Sequence, residues 1–141
     1  MDAQAQLKKR ILEEMTVKHS AILTESFDLA KQYVRVREDG YVEVLVRSKL
    51  TGKEQILLYL IGKLYAKEAG LTTDETVGTS ELLDQLHVPE GSLFPWLKEL
   101  RENNQIRQLR RENNVYSTVA SANVRGILES IEKKLVSSHV Q

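Results

Sequence analysis

The sequence predicts a mainly α-helical chain with small β hairpins. Three observations carry this. Apolar residues recur at three-to-four spacing through 3–33, 53–69 and 121–137; the period changes to two after Tyr33; and Thr51-Gly-Lys-Glu54 has the form of a helix capping box. The chain has 141 residues, 41% hydrophobic and 28% charged, which suits one compact domain or a small domain with extensions. The absence of cysteine removes disulfides, thiolate metal sites and cysteine nucleophiles. No apolar run approaches the roughly 20 residues of a membrane span. The opening stretch MDAQAQLKKRILEEM is too polar and acidic for a signal peptide, so a soluble, cytoplasmic module with no membrane partner is expected.

Residues 3–33 are expected to be helical, with a stripe of Leu7, Ile11 and Met15, then Ile22, Leu23, Phe27, Ala30 and Tyr33. The stripe loses phase near Thr16–Ser20, where a break fits. Its expected use is to face the core or to dimerise. Val34, Val36, Val42, Val44 and Val46 then alternate with Arg35, Arg37, Glu43 and Arg47, a half-buried strand pattern. A two-residue Asp39-Gly40 loop would mix the two faces. A three-residue Glu38-Asp39-Gly40 loop pairs Val36 with Val42, Val34 with Val44 and Arg35 with Glu43, and puts Gly40 at the left-handed position.

The capping box opens a helix over Lys53–Ala69 that is apolar nearly all round, hence central and buried, and Gly70 stops it. Leu71–Gly78 is expected to be a polar loop. Thr79 or Ser80 then caps a short helix with Leu82, Leu83 and Leu86 inward. His87-Val88-Pro89-Glu90-Gly91 makes a turn in which Gly91 permits a close helix crossing and His87 bonds the terminal carbonyls. A second helix carries Leu93, Trp96, Leu97 and Leu100 on its inner face. Pro95 requires that helix to begin late, near Gly91–Ser92, or to kink. Two strands, Ile106–Arg110 and Val115–Val119, are joined by Arg111-Glu112-Asn113-Asn114. A last helix, Ser121–Ser137, repeats Val124, Leu128, Ile131 and Leu135 as a heptad-like seam broadened by Ile127. That seam fits packing within the chain and pairing with a second copy equally well.

Helix, short helix, turn, helix and two-stranded hairpin is the order of a winged helix-turn-helix. Residues 51–121, about half of the chain, resemble that family, and are most similar to uncharacterised archaeal members. The resemblance rests on Glu81-Leu82-Leu83, Leu86, Val88-Pro89, Ser92-Leu93, Leu97, Leu100 and Ile106. It divides the chain into an N-terminal helix and hairpin (1–50), the winged helix (51–121) and a C-terminal helix (122–141). It implies a transcriptional regulator that binds double-stranded DNA with its second motif helix in the major groove, and commonly a homodimer.

The charges complicate this implication. The chain is neutral overall, 20 basic against 20 acidic residues, which counts against coating nucleic acid by bulk electrostatics. Within residues 53–103 Lys53, Lys63, Lys67, Lys98 and Arg101 face nine acidic residues, whereas 104–121 set Arg107, Arg110 and Arg111 against Glu112 alone. At about 100° per residue, Pro95, Lys98, Glu99 and Glu102 point away from the core, flanked by Phe94 and Arg101, which is a poor base-reading surface. Two functional readings follow. In the first, Arg107, Arg110 and Arg111 grip phosphate while Ser92, Lys98 and Arg101 dock the second helix. In the second, the same scaffold binds a protein partner through Phe94, Pro95 and Trp96. Arg35, Arg37 and Arg47 are expected to form a solvated face, with Arg35 neutralised by Glu43. No enzyme, cofactor or metal is expected: His19, His87 and His139 lie on separate elements, Gly70, Gly78 and Gly91 are isolated, and Asp74-Glu75 has no evident partner.

Overall fold

The helix at residues 52–68 is buried on every side between residues 56 and 64, and the rest of the fold is arranged around it. A computed structural model of the chain describes residues 2–15 and 19–139. In order these form α1 (Ala3–Arg10), continued by a π-helical turn (Ile11–Met15), α2 (His19–Ala30), β1 (Val34–Val36), β2 (Val42–Val44), a 3-10 turn (Arg47–Lys49), α3 (Gly52–Glu68), β3 (Val77–Gly78), α4 (Thr79–Leu86), α5 (Glu90–Glu102), β4 (Arg107–Arg111), β5 (Asn114–Thr118) and α6 (Ser121–His139). The chain is thus mainly helical with small antiparallel strands. One hydrophobic core takes side chains from all three sequence segments, from Leu23 through α3 to Ile131.

The start and stop of α3 follow its sequence. Thr51 Oγ1 accepts from the Glu54 N–H at 3.2 Å and the Glu54 carboxylate accepts from the Thr51 N–H at 2.8 Å, a complete capping box. At the other end Gly70 takes φ +77, and the N–H groups of Gly70 and Leu71 reach back to Lys67 O and Ala66 O, the paired bonds of a Schellman ending. Between these ends Ile56, Leu58, Tyr59, Leu60 and Ile61 are fully buried.

The β1–β2 hairpin has the three-residue-loop register: Val34 faces Val44, Arg35 faces Glu43 and Val36 faces Val42, with Gly40 at φ +88. It lies on α3, where Gly62 leaves room for Val42. Its turn is fixed from inside. Lys63, 5% exposed, donates from Nζ to Gly40 O at 3.0 Å and to Glu81 Oε2 at 2.8 Å, and lies 5.3 Å from the Tyr41 ring centroid. The Tyr59 hydroxyl donates to the same Glu81 oxygen, and burial first, then that carboxylate, push the phenol far above its ordinary pKa. Hairpin, α3 and α4 therefore meet at one buried ion pair.

Several elements differ from the sequence expectation. The stripe of residues 3–33 is not one core-facing surface, because Leu7, Ile11 and Met15 are exposed and only α2 joins the core, against α6. The proposed break falls partly on residues 16–18, which lie outside the described residues. Val46 leaves the strand pattern: at φ +51 it is exposed and turns the chain into the 3-10 segment. That turn carries Arg47 inward, where it donates to Leu86 O and, at 3.1 Å, to Gln55, instead of standing on a solvated face. Arg35 bonds the carbonyls of Lys31 and Val34. The end of the 71–78 loop forms β3, with Val77 buried opposite Ser117. Gly91 lies within α5 with open space beside it, so the close helix approach is elsewhere, at Gly52 beneath the Trp96 ring. The seam Val124, Leu128, Ile131 packs into the core of the same chain, with Leu135 at its edge, so it is not a free dimer surface.

Two outcomes test this packing. Glu81→Ala strips a buried ammonium of its counter-charge and is expected to cost about 3–5 kcal/mol in urea denaturation; Lys63→Met in the same background should recover much of that loss. Gly126 has nothing within 4 Å of an added Cβ, so Gly126→Ala should gain about 0.5–1 kcal/mol from helix propensity. Gly62→Ala, which drives a methyl into Val42, should instead lose about 1–2 kcal/mol.

Candidate functional site

The second half of the chain brings α5 and the β4–β5 hairpin side by side. The α4–α5 turn forms because His87 adopts the left-handed conformation at φ +55, with its N–H returning to Leu83 O at 3.1 Å. His87 thus acts through its backbone, while the neighbouring Leu86 carbonyl is taken by Arg47. Neither Thr79 nor Ser80 caps α4. Its N-cap is Gly78, and the Thr79 hydroxyl points across to Val115 O at 3.4 Å.

Helix α5 begins at Glu90, and Pro95 sits in its interior, so the exposed Gly91 carbonyl lacks its usual i+4 donor. Leu93, Leu97 and Leu100 are buried. Trp96 is half-buried, its ring against Gly52 at the start of α3, which makes it a packing residue more than a contact surface. Phe94 is 53% exposed beside the exposed Pro95. Ser92 is half-buried in the first turn. On the outer face Glu99 is drawn back to Lys53 at 2.8 Å, Lys98 lies 4.0 Å from Glu102, and Arg101 donates to Gln108 Oε1 at 3.1 Å. Gln108 in turn donates to the buried Ser117 hydroxyl at 3.2 Å. This chain of bonds joins α5 to the hairpin.

The hairpin strands lie one residue nearer the tip than the sequence suggests, at Arg107–Arg111 and Asn114–Thr118. Arg111 pairs with Asn114, leaving a two-residue turn at Glu112-Asn113 with φ +48 and +68, the twist-matched geometry in which asparagine is well tolerated. Strand β3 adds to β5, so the sheet order is β3-β5-β4. Extending β4 to Arg111 divides the expected arginine cluster. Side chains alternate across a strand. Arg110 therefore shares a face with Gln108, Val115 and Ser117, the face turned to α5, and Arg107 and Arg111 lie on the reverse. Arg111 is also engaged, 2.7 Å from Asp74 Oδ2 and 5.3 Å from the Tyr116 ring centroid. Arg107 and Arg110 make no ion pair among the described residues, and both are exposed.

Two crevices result. One of about 140 Å³ runs between α5 and the hairpin, lined by Phe94, Leu97, Lys98, Arg101, Gln108 and Val115. The other, about 290 Å³, opens between the α4 start and the hairpin tip, with Thr79, Ser80, Asn113 and Asn114 on its walls. Phe94 borders both. Three cations, Lys98, Arg101 and Arg110, thus belong to the α5 side of the hairpin. Gln108 has no place in the sequence reading of the site; its signal is the strand alternation, which requires the correct turn to be read. Among the described residues no His, Asp and Glu cluster could hold a metal, and the side chains of His19 and His139 lie outside those described. No helix among the described residues is long and apolar enough to cross a membrane.

The sequence left Asp74 without a partner, and the structure supplies three groups. Burial would raise its carboxyl, but the Thr76 N–H at 2.9 Å, the Arg111 guanidinium and the Thr76 hydroxyl outweigh it, holding the group at about 2 against an ordinary 3.8. A depressed folded value means that this tie supports the fold above about pH 4 and is lost as pH falls through about 2. Arg111→Ala should therefore shift the Asp74 titration, followed by carboxyl NMR, upward toward 3.8; an unmoved midpoint would show that the pair does not form. Comparison with protein-family models and with curated proteins finds no match to this chain.

Proposed function

We propose that the chain is a DNA-binding transcriptional regulator of the winged-helix kind, in which α5 enters the major groove and the β4–β5 hairpin is the wing. The element order α3, β3, α4, α5, β4, β5, with β3 paired to β5, agrees with that reading. The observation that carries it is that Lys98 and Arg101 line the groove between α5 and the hairpin, with Arg110 on the hairpin face turned to α5. Phosphates of a duplex lying along that groove would meet Arg101, Arg110 and Lys98, the last 4.0 Å from Glu102, while Glu99 is already tied to Lys53. Arg111 contributes less than the sequence alone suggests, since it holds Asp74. Arg107 faces the other way and would reach DNA only at the hairpin edge.

A second reading, a protein-interaction module without DNA contact, is favoured by one observation: Phe94, exposed between two crevices and beside Pro95, is a large apolar anchor on an otherwise charged surface. Titration of a mixed-sequence duplex at low and moderate salt separates the two. The regulator should bind at low salt, and Lys98→Ala, Arg101→Ala and Arg110→Ala should each weaken binding and flatten the salt dependence by about 0.9 in log–log slope. Arg111→Ala should have the smaller effect. No binding at low salt would refute the DNA reading, and loss of a captured protein partner on Phe94→Ala would then support the second.

A further inference from the structure

Two apolar surfaces in this chain have no cover among the described residues. One is the N-terminal arm, residues 3–15, in which Leu7 is 59%, Leu12 53% and Met15 77% exposed. The other is a groove along α2 that begins beside Ser20 and Thr24 and runs past Phe27 and Tyr65 to Lys31 and Arg35. It comprises two adjoining hollows of about 250 and 380 Å³ that share Phe27 and Tyr65. Its walls are predominantly apolar, and Phe27 is 50% exposed. From Ser20 to Lys31 the groove follows 11 residues of helix rise, about 16 Å, against about 20 Å for a 13-residue helical arm.

We propose that the arm of one copy lies in the α2 groove of a second copy, and reciprocally, giving a two-fold dimer by arm exchange. Charge decides the direction. The arm is basic at Lys8, Lys9 and Arg10 and acidic at Glu13 and Glu14; Arg10 and Glu14 pair with each other at 2.9 Å, so its polarity rests on Lys8 and Lys9 at one end and Glu13 at the other. The groove is acidic at the Glu68 end and basic at the Lys31 and Arg35 end, where Lys31 lies 3.3 Å from Asp28 and Arg35 leaves a net positive charge; the neighbouring Lys67 is paired with Glu75. Laid parallel to α2, the arm sets Glu13 and Glu14 beside Lys31 and Arg35, and its basic residues beside Glu68. Laid antiparallel, as it would be if it folded back onto its own α2, like charges meet at both ends.

The chain's own arm cannot take the parallel position. Met15 would then stand near Lys31, about 18 Å along α2 from His19, while the four Cα steps from Met15 to His19 span at most about 14 Å. A second copy has no such tether. The exchange is independent of the DNA reading and would stand or fall without it.

Light scattering and sedimentation of the full chain test it. The expected mass at tens of micromolar is twice the 16.1 kDa of one copy. Leu7→Asp with Met15→Asp, on an arm outside the core, should give a monomer with unchanged thermal stability of the core, and Phe27→Asp should do the same from the groove side. Mixing those two variants should restore a dimer, because one intact arm then meets one intact groove; pairing of arm with arm would not. Glu13→Lys with Glu14→Lys should weaken the dimer about tenfold or more, and adding Lys31→Glu with Arg35→Glu should recover it. A monomer mass for the native chain, a dimer that survives the arm variants, or failure of the mixed variants to associate would each overturn the proposal.

Discussion

A lysine ammonium in the interior of α3 organises this molecule. Left alone, a buried cation is several kcal/mol unfavourable, and Lys63 is accommodated because two distant parts of the sequence supply its surroundings. The β1–β2 turn supplies the Gly40 carbonyl, α4 supplies the Glu81 carboxylate, and the Tyr41 ring flanks the charge. Tyr59 adds a hydroxyl to the same carboxylate. None of these groups can move far without exposing the charge to an unmatched apolar surrounding. The N-terminal hairpin is for this reason part of the central body, and the position of α4, on which the α4–α5 turn depends, is referred back to residues 40 and 63.

The elements legible in the sequence are those set by local rules. The capping box at Thr51, the glycine stop at Gly70 and the hairpin register around Gly40 each follow from backbone geometry and the two-residue period of a strand. Where tertiary context decides, the pattern misleads. The valine alternation continues to Val46, but the chain turns there so that Arg47 can bond the end of α4. Strand β3 is two residues long, too short for any periodicity to show, and exists because β5 offers it an edge. The repeat on α6 identifies an apolar stripe without saying whose surface it meets, and α2 and α3 answer that within the chain. At the candidate site, the adjacency of Arg110 and Arg111 in sequence suggests one cluster; because β4 includes both, alternation places them on opposite faces. Lys63, isolated in an otherwise apolar run, was the visible sign of the buried pair.

The neutral total charge acquires meaning only through placement. The acidic residues of α5 are partly compensated locally, Glu99 by Lys53 and Glu102 by Lys98. Asp74 absorbs Arg111 and anchors the reverse of the hairpin. What is left near the α5 groove is a small excess of positive charge with an aromatic in its midst, too weak for long-range steering.

The pairing of β3 with β5 has a further consequence for affinity. A hairpin that projects freely must lose motional freedom when it meets a partner, and that loss is subtracted from every contact it makes. Here Val77 locks one edge of the hairpin into the core, and the link from Arg101 through Gln108 to Ser117 holds its other strand to α5. The hairpin and the helix therefore form one preorganised surface, and any ligand that met it would bind without that loss.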